Sequence, residues 1–177
     1  KAMHLYVKDM TYKLAKAFQG KLEGTEPTLL ELGVGRGGSL HSWARNGWKT
    51  IVGVDMDTPA LEEAHRRFLE TKESGKYDMK DSTLTTLSGD MNKADSWIGD
   101  SPIDFGKELF TTVSCQFAIM YATKDYENMN QFIEIVDRNL KRGGTFICTT
   151  MSGKAVIDLF NNNDIKIDEK YVWVKNT

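Results

Sequence analysis

The chain has 177 residues, 40% of them hydrophobic and 27% charged, ordinary proportions for a globular domain large enough to bury a core. A formal net charge of −2 excludes a global nucleic-acid signature, so any RNA contact must rest on a local basic patch. With no signal-peptide pattern, no internal repeat and no apolar run near ~18 residues, the expectation is one soluble, intracellular domain.

Apolar positions over residues 2–19 (Met3, Val7, Met10, Leu14, Ala15, Phe18) recur at helical spacing, and Gly20 closes the segment. Lys8 falls beside that stripe, where spacing alone reads it as a solvated helix lysine. After a turn at residues 24–27 the chain enters a short buried strand, about 28–33. That strand leads into the most informative stretch, Glu31-Leu32-Gly33-Val34-Gly35-Arg36-Gly37-Gly38.

Four glycines within six positions, after a strand and before a helix, give the geometry of a nucleotide pocket. A Cβ there would block both the positive-φ turns and the approach of a ligand to the backbone. Gly33, Gly35 and Gly38 fit the dinucleotide fingerprint, with Asp55 near the position about 20 residues on where a ribose-binding acid is expected. Glu31 favours a different ligand. A carboxylate at the strand tip suits the ammonium of a methionine-derived group and would repel a pyrophosphate, which points to S-adenosylmethionine held by Glu31, Gly33 and Gly35.

Ser39 to Asn46 reads as a helix ended by Gly47, with Trp43 packing it on the sheet. Thr50 to Asp55 is a nearly continuous apolar run, as for a strand buried on both faces. Asp57 or Thr58 before Pro59 caps the next helix, residues 59–71. Thr and Leu alternate over residues 82–87, a third strand, and a short helix follows around residues 94–99. Phe110 to Phe117 is a fourth strand. A long amphipathic helix over residues 126–140 turns Met129, Phe132, Ile133, Ile135, Val136 and Leu140 inward. Lys141-Arg142-Gly143-Gly144 stops it, a fifth strand runs over residues 146–151, a helix over 153–160, and a last strand over 171–174. Cys115 and Cys148, both in apolar strands, read as buried free thiols.

Strands alternating with helices give a doubly wound, Rossmann-like α/β fold with a mainly parallel sheet and helices on both faces. Ligands of such sheets sit outside the carboxyl ends of the strands, where Glu31, Asp55, Asp90 and Gln116 all fall. Asp55 is placed to accept from ribose hydroxyls. Asp90 is placed to accept from the adenine amino group while Met91 packs the ring, and Gln116 lies toward the sulfonium end. His4, His41 and His65 are scattered as surface residues, and no metal or covalent-catalytic set is visible.

Ser114-Cys115-Gln116-Phe117-Ala118-Ile119-Met120-Tyr121, taken with the glycine loop, resembles the mRNA cap guanine-N7 methyltransferases. The likeness extends through Trp43, Gly53-Val54-Asp55, Arg67-Phe68, Gly143-Gly144-Thr145-Phe146-Ile147 and Thr149-Thr150, and covers most of residues 1–155. It implies a class I methyltransferase acting on capped RNA, nuclear or cytoplasmic, or in a virion or viral factory if viral. It also implies that Lys8 and Tyr121 join the donor contacts and that Arg36 and Arg67 contact the cap phosphates. Met120 stands where the family has a histidine against the guanine, and Thr123-Lys124 replaces a Phe-Glu pair. Guanine is then expected against Met120 and Tyr121 but recognised partly by other groups.

The family continues beyond the point corresponding to Thr177, so the resemblance implies a single methyltransferase domain over 1–177, cut short or belonging to a larger capping enzyme or complex. No residue is expected to be catalytic in the covalent or acid–base sense, because guanine N7 carries no proton to remove. A methyltransferase of the same fold with another substrate, a donor-binding module that stimulates a capping partner, and a dehydrogenase remain as alternatives.

Overall fold

The computed structural model describes residues 2–19, 25–100, 110–154, 157–158, 165–168 and 171–174. In chain order its elements are α1 (Ala2–Gln19), β1 (Thr28–Leu32), α2 (Leu40–Arg45), β2 (Thr50–Asp55), α3 (Thr58–Glu73) and β3 (Thr83–Ser88). They continue with β4 (Phe110–Gln116), α4 (Tyr126–Asn139), β5 (Leu140–Thr149), β6 (Ile165–Asp168) and β7 (Tyr171–Val174). Two single 3-10 turns, Ala94–Ser96 and Ile119–Tyr121, follow β3 and β4.

β1, β2 and β4 are buried almost throughout, because each lies inside a sheet covered on both faces. The sheet is parallel, in the order β3-β2-β1-β4-β5. The chain winds outward from β1 through β2 to β3, then returns to the other side of β1 with β4. The reversal between β1 and β4 is the switch point at which this architecture binds ligands. β6 and β7 form a separate antiparallel pair; β7 coincides with the expected last strand, and β6 has no counterpart in the sequence reading.

Two cores sandwich the sheet. Leu29, Ile51 and Leu84 meet Tyr12, Ala15, Trp43, Trp48, Leu61 and Phe68 from α1, α2 and α3 and their loops. The alternate strand residues Leu30, Leu32, Val52, Val54 and Val113 meet Phe132 and Ile135 of α4. The period of two therefore sends Glu31 and Ser114 to the α1 side. Helix starts follow local chemistry: Asp57 accepts from the Ala60 N–H with Pro59 in the first turn, and Asp125 accepts from the Asn128 N–H.

Several expectations are corrected. Met10, Leu14 and Phe18 are exposed, whereas Tyr12 and Ala15 face the core. α1 is apolar on two sides, and its inner side is chosen by what Tyr12 meets on the sheet. Ile133 is exposed while Phe132 and Ile135 are buried. Cys115 is buried, its thiol pushed up to about 12 chiefly by burial, but Cys148 is exposed, pointing away from its buried neighbours Ile147 and Thr149 on an outer strand. Lys141 to Gly144 lies within β5. Between the pairs Phe110–Leu140 and Thr112–Thr145, β4 advances by two residues and β5 by five. Gly143 takes φ +81° there, and a Cβ on Gly144 would stand 2.9 Å from the Thr111 carbonyl oxygen. Gly20, Gly24 and half of the expected 153–160 helix fall outside the described residues, while residues 153–154 and 157–158 are helical.

Candidate functional site

β1 ends where Gly33 turns at φ +74°. The Gly33 and Val34 N–H groups both donate to the Val54 carbonyl, at 2.9 and 3.1 Å, which folds the loop over the tip of β2. A Cβ on Gly33 would overlap the methyl of Ala118, and one on Gly37 would press the Ala64 backbone at 3.4 Å. Gly35 differs. It takes φ +51°, and nothing lies within 4 Å of the position its Cβ would occupy. The loop is thus packed at Gly33 and Gly37 and open at Gly35, a cradle that a side chain would fill.

Asp55, half-buried at the tip of β2, holds this cradle. One carboxylate oxygen accepts from the Gly35 N–H at 2.7 Å and the other from the Asp57 N–H at 3.0 Å. Gly89 donates to the Asp55 carbonyl at 3.0 Å, which draws the turn after β3 alongside. In that turn Asp90 accepts from the Asn92 N–H at 2.9 Å, and Met91 is buried with its sulfur 3.9 Å from the Gly33 Cβ position. Asn92 is also buried, and its side-chain oxygen has no hydrogen-bond donor. In the sequence Asn92 is marked only by its place two residues after Asp90.

The strand-tip acid of β1 is placed differently from the expectation of an open carboxylate. Glu31 is 1% exposed and accepts from the Tyr12 hydroxyl and, at 3.0 Å, from the Ser39 hydroxyl. Burial raises its pKa, opposed by these hydrogen bonds and by Lys8. Nor is Lys8 a solvated lysine. Its ammonium lies 3.3 Å from Ser39 Oγ, 3.3 Å from the Gly38 Cβ position and 5.6 Å from the Phe117 ring centroid. Burial lowers its pKa, and the Glu31 charge works against that shift.

Gln116, at the tip of β4, is 5% exposed. It donates to Ser114 Oγ at 3.1 Å and accepts from the Thr149 hydroxyl at 2.8 Å. Phe117 takes φ +61°, its N–H bonded to the Thr149 carbonyl at 2.8 Å. A non-glycine residue in this region is strained, and such strain collects at ligand sites. It swings Ala118 against Gly33. Met120 and Tyr121 occupy the 3-10 turn beyond, Met120 half-buried and Tyr121 exposed. Arg67 donates to the Arg36 carbonyl at 2.6 Å, so the two arginines expected at the cap phosphates are neighbours at the rim.

The structure therefore gathers Lys8, Glu31, Gly33, Gly35, Asp55, Asp90, Met91 and Gln116 around one edge of the sheet, with Arg36 and Arg67 beside them. His41 and His65 are exposed. Among the described residues no group of three or more His, Cys, Asp and Glu side chains is gathered as for a metal, and no helix is long and apolar enough to cross a membrane.

This sheet order and cradle define the fold of the class I S-adenosylmethionine-dependent methyltransferases. Similar solved structures include the plantazolicin methyltransferase BpumL in complex with S-adenosylhomocysteine, with TM-score 0.59 at 10% identity, covering 89% of this chain and 52% of that one. S-adenosylmethionine-bound CalS10 from Micromonospora echinaspora, an amino pentose methyltransferase, has TM-score 0.57 at 19% identity over 81% and 50%. Residues 3–173 match the profile of the mRNA (guanine-N(7))-methyltransferase domain, and the chain belongs to that family.

Its relatives include the mRNA cap guanine-N(7) methyltransferases of Caenorhabditis briggsae, 30% identical over 131 residues, and Saccharomyces cerevisiae, 27% over 121. The matched segments are 74% and 68% of this chain but 33% and 26% of those proteins. The mRNA-capping enzyme of African swine fever virus is 26% identical over 149 residues, 82% of this chain and 17% of that protein. The chain thus spans a third or less of the length of these relatives.

Proposed function

We propose that the domain binds S-adenosylmethionine and transfers its methyl group to N7 of the guanine cap of mRNA. Membership of the cap methyltransferase family over residues 3–173 is the observation that carries this reading. The residues fit the donor: Gly35 leaves open backbone, Asp55 offers a carboxylate at a strand tip, and Asn92 has a buried oxygen wanting a donor. In this reading Asp55 takes the ribose hydroxyls, Asp90 and Met91 the adenine, and Lys8 the amino-acid carboxylate. Gly33 and Tyr121 add contacts. Glu31 acts on the ammonium end from within its hydrogen-bonded nest.

When bound, the donor supplies a sulfonium methyl to a base nitrogen that already has a free lone pair. What the chain contributes is alignment and exclusion of water, which can supply much of the rate without a proton acceptor. Arg36 and Arg67 hold the cap phosphates, and Met120 and Tyr121 pack the guanine. A methionine offers dispersion and sulfur–aromatic contact but no hydrogen bond, so guanine selectivity falls to other groups. Met120 also favours the second reading, a methyltransferase with another substrate or a donor-binding module that stimulates a capping partner. The partner is capped RNA, alone or with other capping domains, in the nucleus, the cytoplasm or a viral compartment.

Titration with a GpppG-type cap analogue and with S-adenosylhomocysteine tests the division of labour. Cap affinity is expected to fall with added salt and to drop about 10-fold in Arg67→Ala, the scale of one charge-assisted hydrogen bond. Donor affinity is expected to change little. Equal weakening of both ligands would make Arg67 a brace for the glycine loop through the Arg36 carbonyl rather than a phosphate contact.

A further inference from the structure

The buried polar groups beneath the glycine loop form one connected line with a consistent direction. Thr149 donates to the Gln116 carbonyl oxygen, and the Gln116 amide donates to Ser114. Ser114 Oγ lies 2.9 Å from the Tyr12 hydroxyl, which itself donates to Glu31. From the other end Lys8 donates to Ser39, and Ser39 to Glu31. With the Tyr12 O–H directed at the carboxylate, the Ser114–Tyr12 bond runs from Ser114 to Tyr12, and every bond then points toward Glu31. The line joins α1, β1, β4 and β5, and Tyr12, fully buried, hydrogen-bonds both the Glu31 carboxylate of the Lys8 half and Ser114 of the Gln116 half.

We propose that Tyr12 is a positioning residue of the donor site: its hydroxyl locks the Glu31 carboxylate and, through Ser114, fixes which way the Gln116 amide faces. This rests on the donor-binding reading above. The role needs the hydroxyl, since a phenyl ring would fill the same core space and leave Glu31 and Ser114 each short of a partner. A buried polar network of this kind is rigid when complete and costly when one member is lost.

The charge on Glu31 is the second requirement. Its protonation would put a donor where the line needs an acceptor and reverse one bond. The titratable groups facing it are Lys8 and Tyr12 from α1 and Cys115 from β4; Ser39 and Ser114 are neutral. Burial already raises the Glu31 pKa, and the hydrogen bond from Tyr12 opposes that rise. Removing the hydroxyl therefore moves Glu31 protonation to higher pH, an effect that loss of packing alone does not produce.

The test is calorimetric titration of the whole chain with S-adenosylhomocysteine between pH 5 and pH 8, as wild type, Tyr12→Phe and Ser114→Ala. Ionisation of the ligand is common to all three and cancels in the comparison. Tyr12→Phe is expected to bind about five- to tenfold more weakly at neutral pH, the scale of one hydrogen bond, with its acid-side loss of affinity moved to higher pH. Ser114→Ala is expected to weaken binding about fivefold by freeing Gln116. Wild-type affinity and an unshifted acid limb in Tyr12→Phe would overturn the proposal. If Tyr12→Phe does not fold, Ser114→Ala decides: weakened binding supports the line, and unchanged binding overturns it. Failure of the wild type itself to bind would instead remove the donor reading on which the proposal stands.

Discussion

Asp55→Ala is expected to weaken S-adenosylhomocysteine binding by about 1.5–3 kcal/mol, the range for a lost charged hydrogen bond. The carboxylate does two things. It is the acceptor proposed for the ribose hydroxyls, and it already holds the Gly35 N–H at 2.7 Å and the Asp57 N–H at 3.0 Å. Alanine removes the ligand's acceptor and releases the open segment of the glycine loop together. Asp55→Asn retains one acceptor oxygen and should fall between alanine and the wild type. Calorimetry giving the alanine variant wild-type affinity would remove Asp55 from the site.

The second large effect is a contrast between two glycines two residues apart. Gly33→Ala is expected to cost several kcal/mol of folding stability, on the order of 1–2 from the positive φ and 1–3 from overpacking. Both arise because Gly33 sits at φ +74° with its Cβ position overlapping Ala118. Gly35→Val meets no protein atom within 4 Å at its Cβ, so it should retain the fold with only the strain of φ +51°. It should nevertheless lose donor binding by at least as much as Asp55→Ala, because the side chain fills the cradle. Thermal denaturation separates the two: Gly33→Ala melts far below the wild type, and Gly35→Val melts a few degrees below it, from backbone strain alone, without a ligand-induced rise. A Gly35→Val protein stabilised normally by S-adenosylhomocysteine would place the ligand elsewhere.

The sheet was legible because its signals are local. Thr50–Asp55 is an apolar run broken by one glycine and ending in an acid, and β2 has those bounds. The cap at Asp57 with Pro59 in the first turn needed only neighbouring residues. What the sequence hid depends on contacts between distant segments. Tyr12 lies 19 residues from Glu31 and 102 from Ser114, so periodicity along α1 favoured Met10, Leu14 and Phe18 over the polar-tipped ring that is buried.

Glu31 followed the same pattern. Its position at a strand tip was readable, but its enclosure by α1 and Ser39 was not. Lys8 entered through family resemblance alone, since nothing in helical spacing distinguishes a lysine held over Ser39 and Phe117 from a solvated one. Lys141 to Gly144 looked like a helix stop because glycines and cations suit one; the long register step that absorbs them belongs to the pairing of β4 with β5.

The most direct measurement is transfer of a labelled methyl group from S-adenosylmethionine to GpppN-capped RNA, followed by nuclease digestion to identify the methylated cap. Label is expected in 7-methylguanosine, abolished in Gly35→Val and strongly reduced in Asp55→Ala. Normal donor binding with no label at guanine N7, from this domain alone and with a capping complex added, would overturn the reading and leave another substrate or a stimulatory role.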